Sequence, residues 1–162
     1  MSLDKVKSYF AELGMEERVK EFHQSSATVE LAAQALGCKP ERIAKTMSFL
    51  LGEQPILIVT AGDAKVDNKK YKEQFHQKAR MIPAENVEQY IGHAPGGVCP
   101  FVVLPGVQIF LDESLKRFDI VYPAAGSANS AVELSPAELE TCCVSQGWVN
   151  VCKGWEAEMA GE

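Results

Sequence analysis

The chain has no long uninterrupted apolar run, which argues against a membrane-spanning helix. The longest stretch without a charged residue runs from Gln89 to Leu111. It contains Pro95, Pro100 and Pro105 together with four glycines, and these residues would break a spanning helix. The start of the sequence also lacks the apolar segment typical of a secretory signal. We therefore expect a cytoplasmic protein with no membrane contact.

Cysteine and histidine are few and poorly spaced for a shared site. The five cysteines are Cys38, Cys99, Cys142, Cys143 and Cys152. They are odd in number and include no C-x-x-C pair, so neither a disulfide framework nor a zinc knuckle is supported. The histidines, at positions 23, 76 and 93, lie 53 and 17 residues apart and show no metal-ligand spacing. We expect no metal and no cofactor.

Two common catalytic motifs are missing. A phosphate-binding loop ending at Lys45 would need glycine at the positions of Lys39 and Ala44. The segment from Gly126 to Ser130 does not follow the G-x-S-x-G pattern of a hydrolase elbow. Nucleotide binding by such a loop and serine-hydrolase chemistry are therefore unsupported.

Basic charge is scarce overall but concentrated in one place. The chain has 16 Lys and Arg against 22 Asp and Glu, a net charge of −6, which disfavours general binding to nucleic acid and predicts no DNA partner. The segment from Lys65 to Arg80 nevertheless carries six basic residues against two acidic ones. It predicts either a surface for a polyanion or a helix whose Tyr71 and Phe75 point inward while its lysines face solvent.

The order of the predicted elements indicates the fold class. Of the residues, 46% are apolar and 23% charged, values typical of a globular chain, and we expect one domain over residues 1–162. Predicted helices cover residues 3–13, 29–36, 68–75 and 83–91, and a further helix begins at a capping box around residue 135. Predicted strands cover residues 46–51, 55–60, 79–82, 107–111, 119–122 and 131–134, with a polar turn at 112–116. This pattern lacks regular βαβ alternation and predicts an α+β fold, a mixed or antiparallel barrel-like sheet surrounded by helices, with a doubly wound sheet as the alternative.

Three local patterns are candidates for a site. Lys45 has the same strand parity as the apolar Met47 and Phe49, so it either reaches solvent from the strand end or is a cation at a pocket rim that binds a phosphate or a carbonyl. The glycine-rich segment from Gly92 to Pro100 is either a tight turn or a backbone concavity that binds an anion. The loop from Ala125 to Ser130 is either a plain connection or a further source of small polar contacts.

Together these patterns resemble the YbaK-type aminoacyl-tRNA deacylase family, which is related to the editing domain inserted in bacterial prolyl-tRNA synthetases. Lys45-Thr46-Met47 is similar to the family's Lys-Thr-apolar strand start, and Gly96-Gly97-Val98-Cys99-Pro100 to its G-x-x-x-P loop. Gly126 to Leu134 resembles its late glycine-containing loop. The similarity extends from roughly Thr28 to Cys143, with departures at Ala125 and Val102, where relatives commonly carry glycine.

The resemblance implies a reaction and a set of site residues. The reaction would be hydrolysis of the ester of a mischarged tRNA, plausibly Cys- or Ala-charged tRNA(Pro), with a synthetase as a candidate partner. Lys45 would orient the substrate, and loop backbone would stabilise the carbonyl oxygen. The implied catalytic residues are Lys45, Gly96, Gly97 and Val98. The implied substrate-binding residues are Thr46, Met47, Phe49, His93, Cys99, Pro100, Gly126, Ser127 and Asn129. The basic segment would then contact tRNA through Lys65, Lys69, Lys70 and Lys72.

Two other functions remain open from the residues. The same pocket could bind an aminoacyl-tRNA or a small molecule without turnover, and Lys45 is the residue that would distinguish this binding module from an enzyme. Alternatively, Cys99 could be the nucleophile of a thiol enzyme assisted by His93, although neither the spacing nor a nearby basic cluster secures the lowered pKa that a reactive cysteine needs.

Overall fold

The computed structural model describes residues 2–155, which form an α+β fold around a curled five-stranded sheet. Its α-helices are α1 (Ser2–Glu12), α2 (Val29–Leu36), α3 (Asn68–Phe75), α4 (Ala84–Ile91) and α5 (Pro136–Cys142). Its strands are β1 (Val19–Glu21), β2 (Ile43–Leu51), β3 (Gln54–Ala61), β4 (Lys65–Val66), β5 (Gln108–Asp112), β6 (Tyr122–Pro123), β7 (Ser130–Val132), β8 (Gly147–Val149) and β9 (Cys152–Lys153). Short 3-10 helices cover Glu16–Arg18, Pro40–Arg42 and Glu113–Arg117.

The sheet is mixed, as the sequence predicts. Its strand order is β6-β2-β3-β5-β8. Strands β2 and β3 form an antiparallel hairpin, whereas the pairs β2-β6, β3-β5 and β5-β8 are parallel. Two small antiparallel ribbons, β1-β7 and β4-β9, lie outside this sheet. The hairpin therefore provides the frame to which the rest of the fold attaches.

The centre of the hairpin is the centre of the core. Residues 56–59 of β3 form a continuous apolar run and are all fully buried, as expected for a strand covered on both faces. Phe10 of α1 packs edge-on against Phe101, with ring centroids 4.8 Å apart. Tyr71 of α3 is fully buried and lies against Phe49 of β2. Helices α1 and α3 thus fix the positions of β2 and the loops beside it.

The predicted helix boundaries are largely confirmed by their caps. Thr28 accepts a hydrogen bond from the Leu31 amide at the start of α2, and Asp67 accepts one from the Lys70 amide at the start of α3. Ser135 begins α5 with the predicted capping box. These contacts satisfy amide groups that have no partner within the helix.

Several predicted strands are wrong or displaced. Residues 79–82 form no strand and contribute a single bridge from Met81 to Phe49. The strand predicted at 119–122 begins at Tyr122, and the predicted polar turn is a 3-10 helix, Glu113–Arg117. Strands β1, β4, β8 and β9 were not predicted, because elements of two or three residues are too short to show a period of two. Within residues 2–155, none of the helices is long and apolar enough to cross a membrane.

Candidate active site

A small cavity lies between the first half of β2, the start of α2 and two loops. Its volume is about 200 Å³. Its lining residues include four that the sequence singles out: Lys45, Thr46, Gly96 and Val98. The fold therefore brings the lysine of β2 and the glycine-rich loop to one cavity, although they are far apart in the chain.

Lys45 stands at this cavity as a half-buried cation. Among the described residues, no hydrogen bond or ion pair joins its ammonium group to a partner. Burial lowers the pKa of Lys45 from its ordinary value of 10.5, because a charged group loses hydration there. The ammonium group can therefore donate hydrogen bonds to an anionic or carbonyl oxygen of a ligand. Thr46, the next residue, also lines the cavity, and its buried hydroxyl has no hydrogen-bond partner within residues 2–155.

The glycine-rich loop is in direct backbone contact with the late loop around Gly126. A Cβ atom on Gly97 would lie 2.8 Å from the carbonyl carbon of Gly126 and 2.8 Å from the backbone of Ser127. No side chain fits in that space. Gly96, whose φ is +91°, also requires glycine, but for its conformation. The glycines therefore permit a close approach that sets the shape of the cavity wall.

The polar residues of the late loop are engaged with one another. The Ser127 hydroxyl hydrogen-bonds the Asn129 side-chain oxygen at 2.8 Å and the Ser130 hydroxyl at 2.6 Å. The Asn129 amide group donates to the Phe22 carbonyl at 3.1 Å. Gly126 packs against the backbone at the start of α1. Of this group, Ser130 lines the cavity. Gly126, Ser127 and Asn129 do not line it, and they influence its shape by fixing the conformation of the late loop.

Sequence reasoning missed the segment that closes another side of the cavity. Ser26, Ala27 and Thr28 line it, together with Val29 of α2. The Ser26 amide donates to the Ala128 carbonyl at 2.6 Å, which attaches this segment to the late loop. The available signal was the run of small residues from Ser25 to Thr28, directly before a capped helix.

His93 and Cys99 lie beneath the glycine-rich loop rather than in the cavity. His93 is 1% exposed and Cys99 fully buried. Burial raises the pKa of Cys99 to about 12, so its thiol stays protonated. Burial also lowers the pKa of His93, and its Nε2 lies 2.6 Å from the Phe101 carbonyl. A neutral ring must donate its Nε2 proton to that carbonyl, which leaves no base beside the Cys99 sulfur, 3.5 Å from the same nitrogen.

Met47 and Phe49 line a second cavity on another side of Lys45. Its volume is about 320 Å³. It is lined by Lys45, Met47, Phe49, Lys65, Val66, Asn68, Ala79 and Met81. The parity argument for β2 is thus confirmed, since Lys45 shares this cavity with Met47 and Phe49. Pro100 is buried and lines neither cavity.

The basic segment lies on β4 and α3, next to the second cavity. Lys69 and Lys72 are exposed on α3, while Tyr71 is buried and Phe75 half-buried. Lys70 donates to the Cys152 carbonyl at 2.9 Å and to the Asn150 side chain at 3.4 Å. Lys65 is exposed on β4. Within residues 2–155, no group of three or more His, Cys, Asp or Glu side chains could hold a metal ion.

The sequence is similar to known proteins over most of its length. Residues 23–142 match the aminoacyl-tRNA editing domain family. The chain is 51% identical over 157 residues to the uncharacterized protein YwhH of Bacillus subtilis, covering 96% of this chain and all of that protein. It is 30% identical over 106 residues to a proline–tRNA ligase of Limosilactobacillus fermentum, covering 62% of this chain and 18% of the ligase.

A solved structure shows the same fold at full length. It is described as a candidate trans-editing enzyme for prolyl-tRNA synthetase, and it superimposes with a TM-score of 0.84 at 26% identity. The match covers 94% of this chain and 98% of the other. The chain therefore corresponds to that whole protein but to a minor part of the ligase.

Proposed function

Because the chain belongs to the aminoacyl-tRNA editing domain family, we propose that it is a deacylase that hydrolyses the ester of a mischarged tRNA. The observation that carries this proposal is the cavity shared by Lys45 and the glycine-rich loop. The half-buried ammonium group, which has no partner among residues 2–155, lines this cavity together with Gly96 and Val98. Such a site offers a cation and amide donors to a carbonyl or phosphate oxygen.

The proposed reaction needs no nucleophilic side chain. Water attacks the ester carbonyl carbon, the C–O bond to the ribose breaks, and the amino acid leaves as a carboxylic acid while the ribose oxygen takes up a proton. The Gly97 amide, expected from the sequence to be a donor, instead bonds the Ala94 carbonyl at 3.1 Å. The proposed donors to the negative charge that develops on the carbonyl oxygen are therefore the backbone amides of Gly96 and Val98. Lys45 orients the ester or the adjacent phosphate, and the neighbouring ribose hydroxyl assists the proton transfer. The buried, protonated state of Cys99 supports this scheme over a thiol mechanism.

The lining of the cavity favours a small amino acid. Alanines at 32, 44 and 131 contribute to its apolar wall, and its volume is about 200 Å³. We propose alanine or cysteine esterified to tRNA(Pro), in keeping with the relationship to proline–tRNA ligases. A hydrophobic pocket separates substrates that differ by one methylene by only about 1–3 kcal/mol, which explains why a separate hydrolytic site would be useful.

The tRNA itself is proposed to lie along the basic segment. Lys65, Lys69 and Lys72 are exposed on β4 and α3, and Lys70 is attached to the C-terminal part of the fold. A net acidic protein needs such a local patch to contact phosphates. The ligase relatives carry this domain within a larger chain, so a synthetase is a proposed partner, and the cytoplasm, where tRNA is charged, the proposed location.

Release of amino acid from a panel of mischarged tRNAs tests the proposal. The panel contains tRNA(Pro) charged with alanine, cysteine, serine or proline, together with correctly charged tRNA(Ala). We expect the wild-type protein to hydrolyse alanyl- or cysteinyl-tRNA(Pro) faster than the other members. Hydrolysis of none of them, with tRNA binding retained, would instead indicate a binding module.

A further inference from the structure

We propose that the second cavity, between β2, β4 and the segment at Met81, binds the terminal adenosine of the tRNA. This inference rests on the proposed function and assigns a subsite to a part of the substrate that the first cavity does not accommodate. It is carried by the position of Lys45, which lines both cavities. An ester held at Lys45 has room for its amino acid on one side and its nucleoside on the other.

The backbone explains why the second cavity opens beside Lys45. Along one edge of β2, strand β6 pairs with Ile43 and Ala44. Farther along the same strand, the segment at Met81 bonds to Ser48 and Leu50. Residues 45–47 lie between these two paired stretches, and Lys45 lines both cavities. The two cavities are therefore neighbours at this part of the sheet.

The lining of the second cavity suits a nucleobase. Met47, Met81 and Phe49 provide an apolar surface, and thioethers and aromatic rings both pack well against flat, polarizable rings. Met81 is 56% exposed, so its side chain is accessible to a ligand in this cavity. Asn68 supplies an amide that can donate to and accept from the edge of a base. A cavity of about 320 Å³ has room for a purine.

The charges of the second cavity suit the phosphate that precedes the nucleoside. Lys45 and Lys65 both line it, and none of the acidic residues within 2–155 does. Lys65 is exposed on β4, directly before α3 with its exposed Lys69 and Lys72. A strand of RNA leaving the cavity at Lys65 would therefore continue along the basic segment. Along the protein surface, the substrate would then be arranged with its amino acid in the first cavity, its ester at Lys45, its adenosine in the second cavity and its acceptor strand on the basic segment.

The experiment compares two chemically aminoacylated minihelices that differ only in the terminal nucleotide, which is adenosine in one and an abasic ribose in the other. Met81→Glu should raise KM for the adenosine-ended substrate about tenfold, since a stacked base is worth roughly one factor of ten or more in affinity. It should change KM for the abasic substrate less than about twofold, because the contact is already missing there. Leu13→Glu is the matched control, since Leu13 is 47% exposed and lies outside both cavities; it should affect neither substrate.

An equal effect of Met81→Glu on both minihelices, or no effect on either, would overturn the subsite while leaving the deacylase intact. Should the wild-type protein hydrolyse neither minihelix, the proposed function fails and binding alone decides the subsite. In that case the methyl resonances of Met47 and Met81 are followed by NMR during titration with AMP and with ribose 5-phosphate. Shifts with AMP only, with Met15 unchanged, support the subsite, and the absence of such shifts overturns it.

Discussion

Lys45 and Lys70 lie in neighbouring parts of the fold, yet their ammonium groups have opposite surroundings. Lys70 donates to a backbone carbonyl and to a side-chain oxygen, which ties α3 to the C-terminal strand β9. Lys45 is half-buried at two cavities and has no such partner among the described residues. One lysine bonds two parts of the structure together, whereas the other is the one that we propose binds the substrate.

This difference separates two regions of the molecule. In the cavity region, the Lys45 ammonium and the Thr46 hydroxyl lack hydrogen-bond partners among residues 2–155, and burying such groups costs stability. In the region of α3 and β4, the lysines are either exposed or bonded. The buried Tyr71 hydroxyl of α3 also has no partner in the described part of the chain, but it lines neither cavity. Uncompensated polar groups at a cavity are typical of sites where the ligand provides the missing partner. If the two regions differ in function as they do in structure, substitutions in each region should have different effects.

The largest effect is expected at the contact between the two loops. Gly97→Ala adds a Cβ atom that overlaps the backbone of Gly126 and Ser127, so the loops must separate. We expect a loss of about 1–3 kcal/mol in the free energy of unfolding and a fall in kcat of about 10²-fold, since displacements near 1 Å disrupt catalytic geometry. Urea unfolding and single-turnover hydrolysis measure the two effects.

Gly106→Ala is the matched control for this substitution. Gly106 has a φ of +91° but nothing within 4 Å of an added Cβ atom. It should cost about 1 kcal/mol of stability through backbone strain and leave hydrolysis unchanged. Equal loss of activity in the two variants would show that the loop contact has no special role.

The basic region should affect tRNA affinity rather than chemistry. The double variant Lys69→Glu/Lys72→Glu should weaken tRNA binding about tenfold at low salt, and the difference should shrink as salt rises. Hydrolysis of a small aminoacyl ester should stay within about twofold of wild type. Filter binding at several salt concentrations provides the measurement. A matched loss on the tRNA and on the small ester would instead place these lysines in the fold or in the cavity.

A smaller effect is expected behind the glycine-rich loop. Cys99→Ala removes a buried thiol that contacts His93, and we expect about 1 kcal/mol of lost stability with hydrolysis retained within a factor of ten. Calorimetry and the tRNA assay check both values. Complete loss of hydrolysis in a folded Cys99→Ala protein would restore the thiol mechanism.

The smallest effect is the pH dependence of stability caused by Lys45. Its folded-state pKa is lowered by burial, so the unfolded chain binds the proton more readily than the folded chain between that lowered value and 10.5. Stability conferred through this group therefore rises with pH across that window. Lys45→Met should unfold a few degrees above wild type at neutral pH, and the difference should narrow as pH approaches 10.5. Thermal unfolding of both proteins from pH 7 to 10.5 measures this difference. A Lys45→Met protein with a lower unfolding temperature than wild type at pH 7 would mean that the fold stabilises the ammonium group.

Residue type and spacing were enough to predict part of this arrangement. The hairpin and the capped helices follow from local patterns, because strand alternation and caps have local physical causes. Lys45 and the glycine-rich loop were candidates on local grounds, but a common site for them was implied by the family resemblance. The segment at Ser26 and the second cavity were not predictable in this way, since distant segments create them by tertiary contact. The burial of His93 and Cys99 was equally hidden, because an irregular loop has no period from which the direction of a side chain can be read.

Single-turnover hydrolysis of alanyl- or cysteinyl-tRNA(Pro) by Lys45→Met tests the central claim most directly. Methionine keeps the length of the side chain and removes its charge, so the fold should persist while the cation at the cavity is lost. We predict a decrease in the rate constant of about 10²–10³-fold. The control is Lys69→Met, since Lys69 is exposed and lies outside both cavities. Its rate constant should stay within about threefold of wild type under saturating enzyme. A Lys45→Met protein that hydrolyses the substrate at the wild-type rate would contradict the assignment of this cavity as the active site.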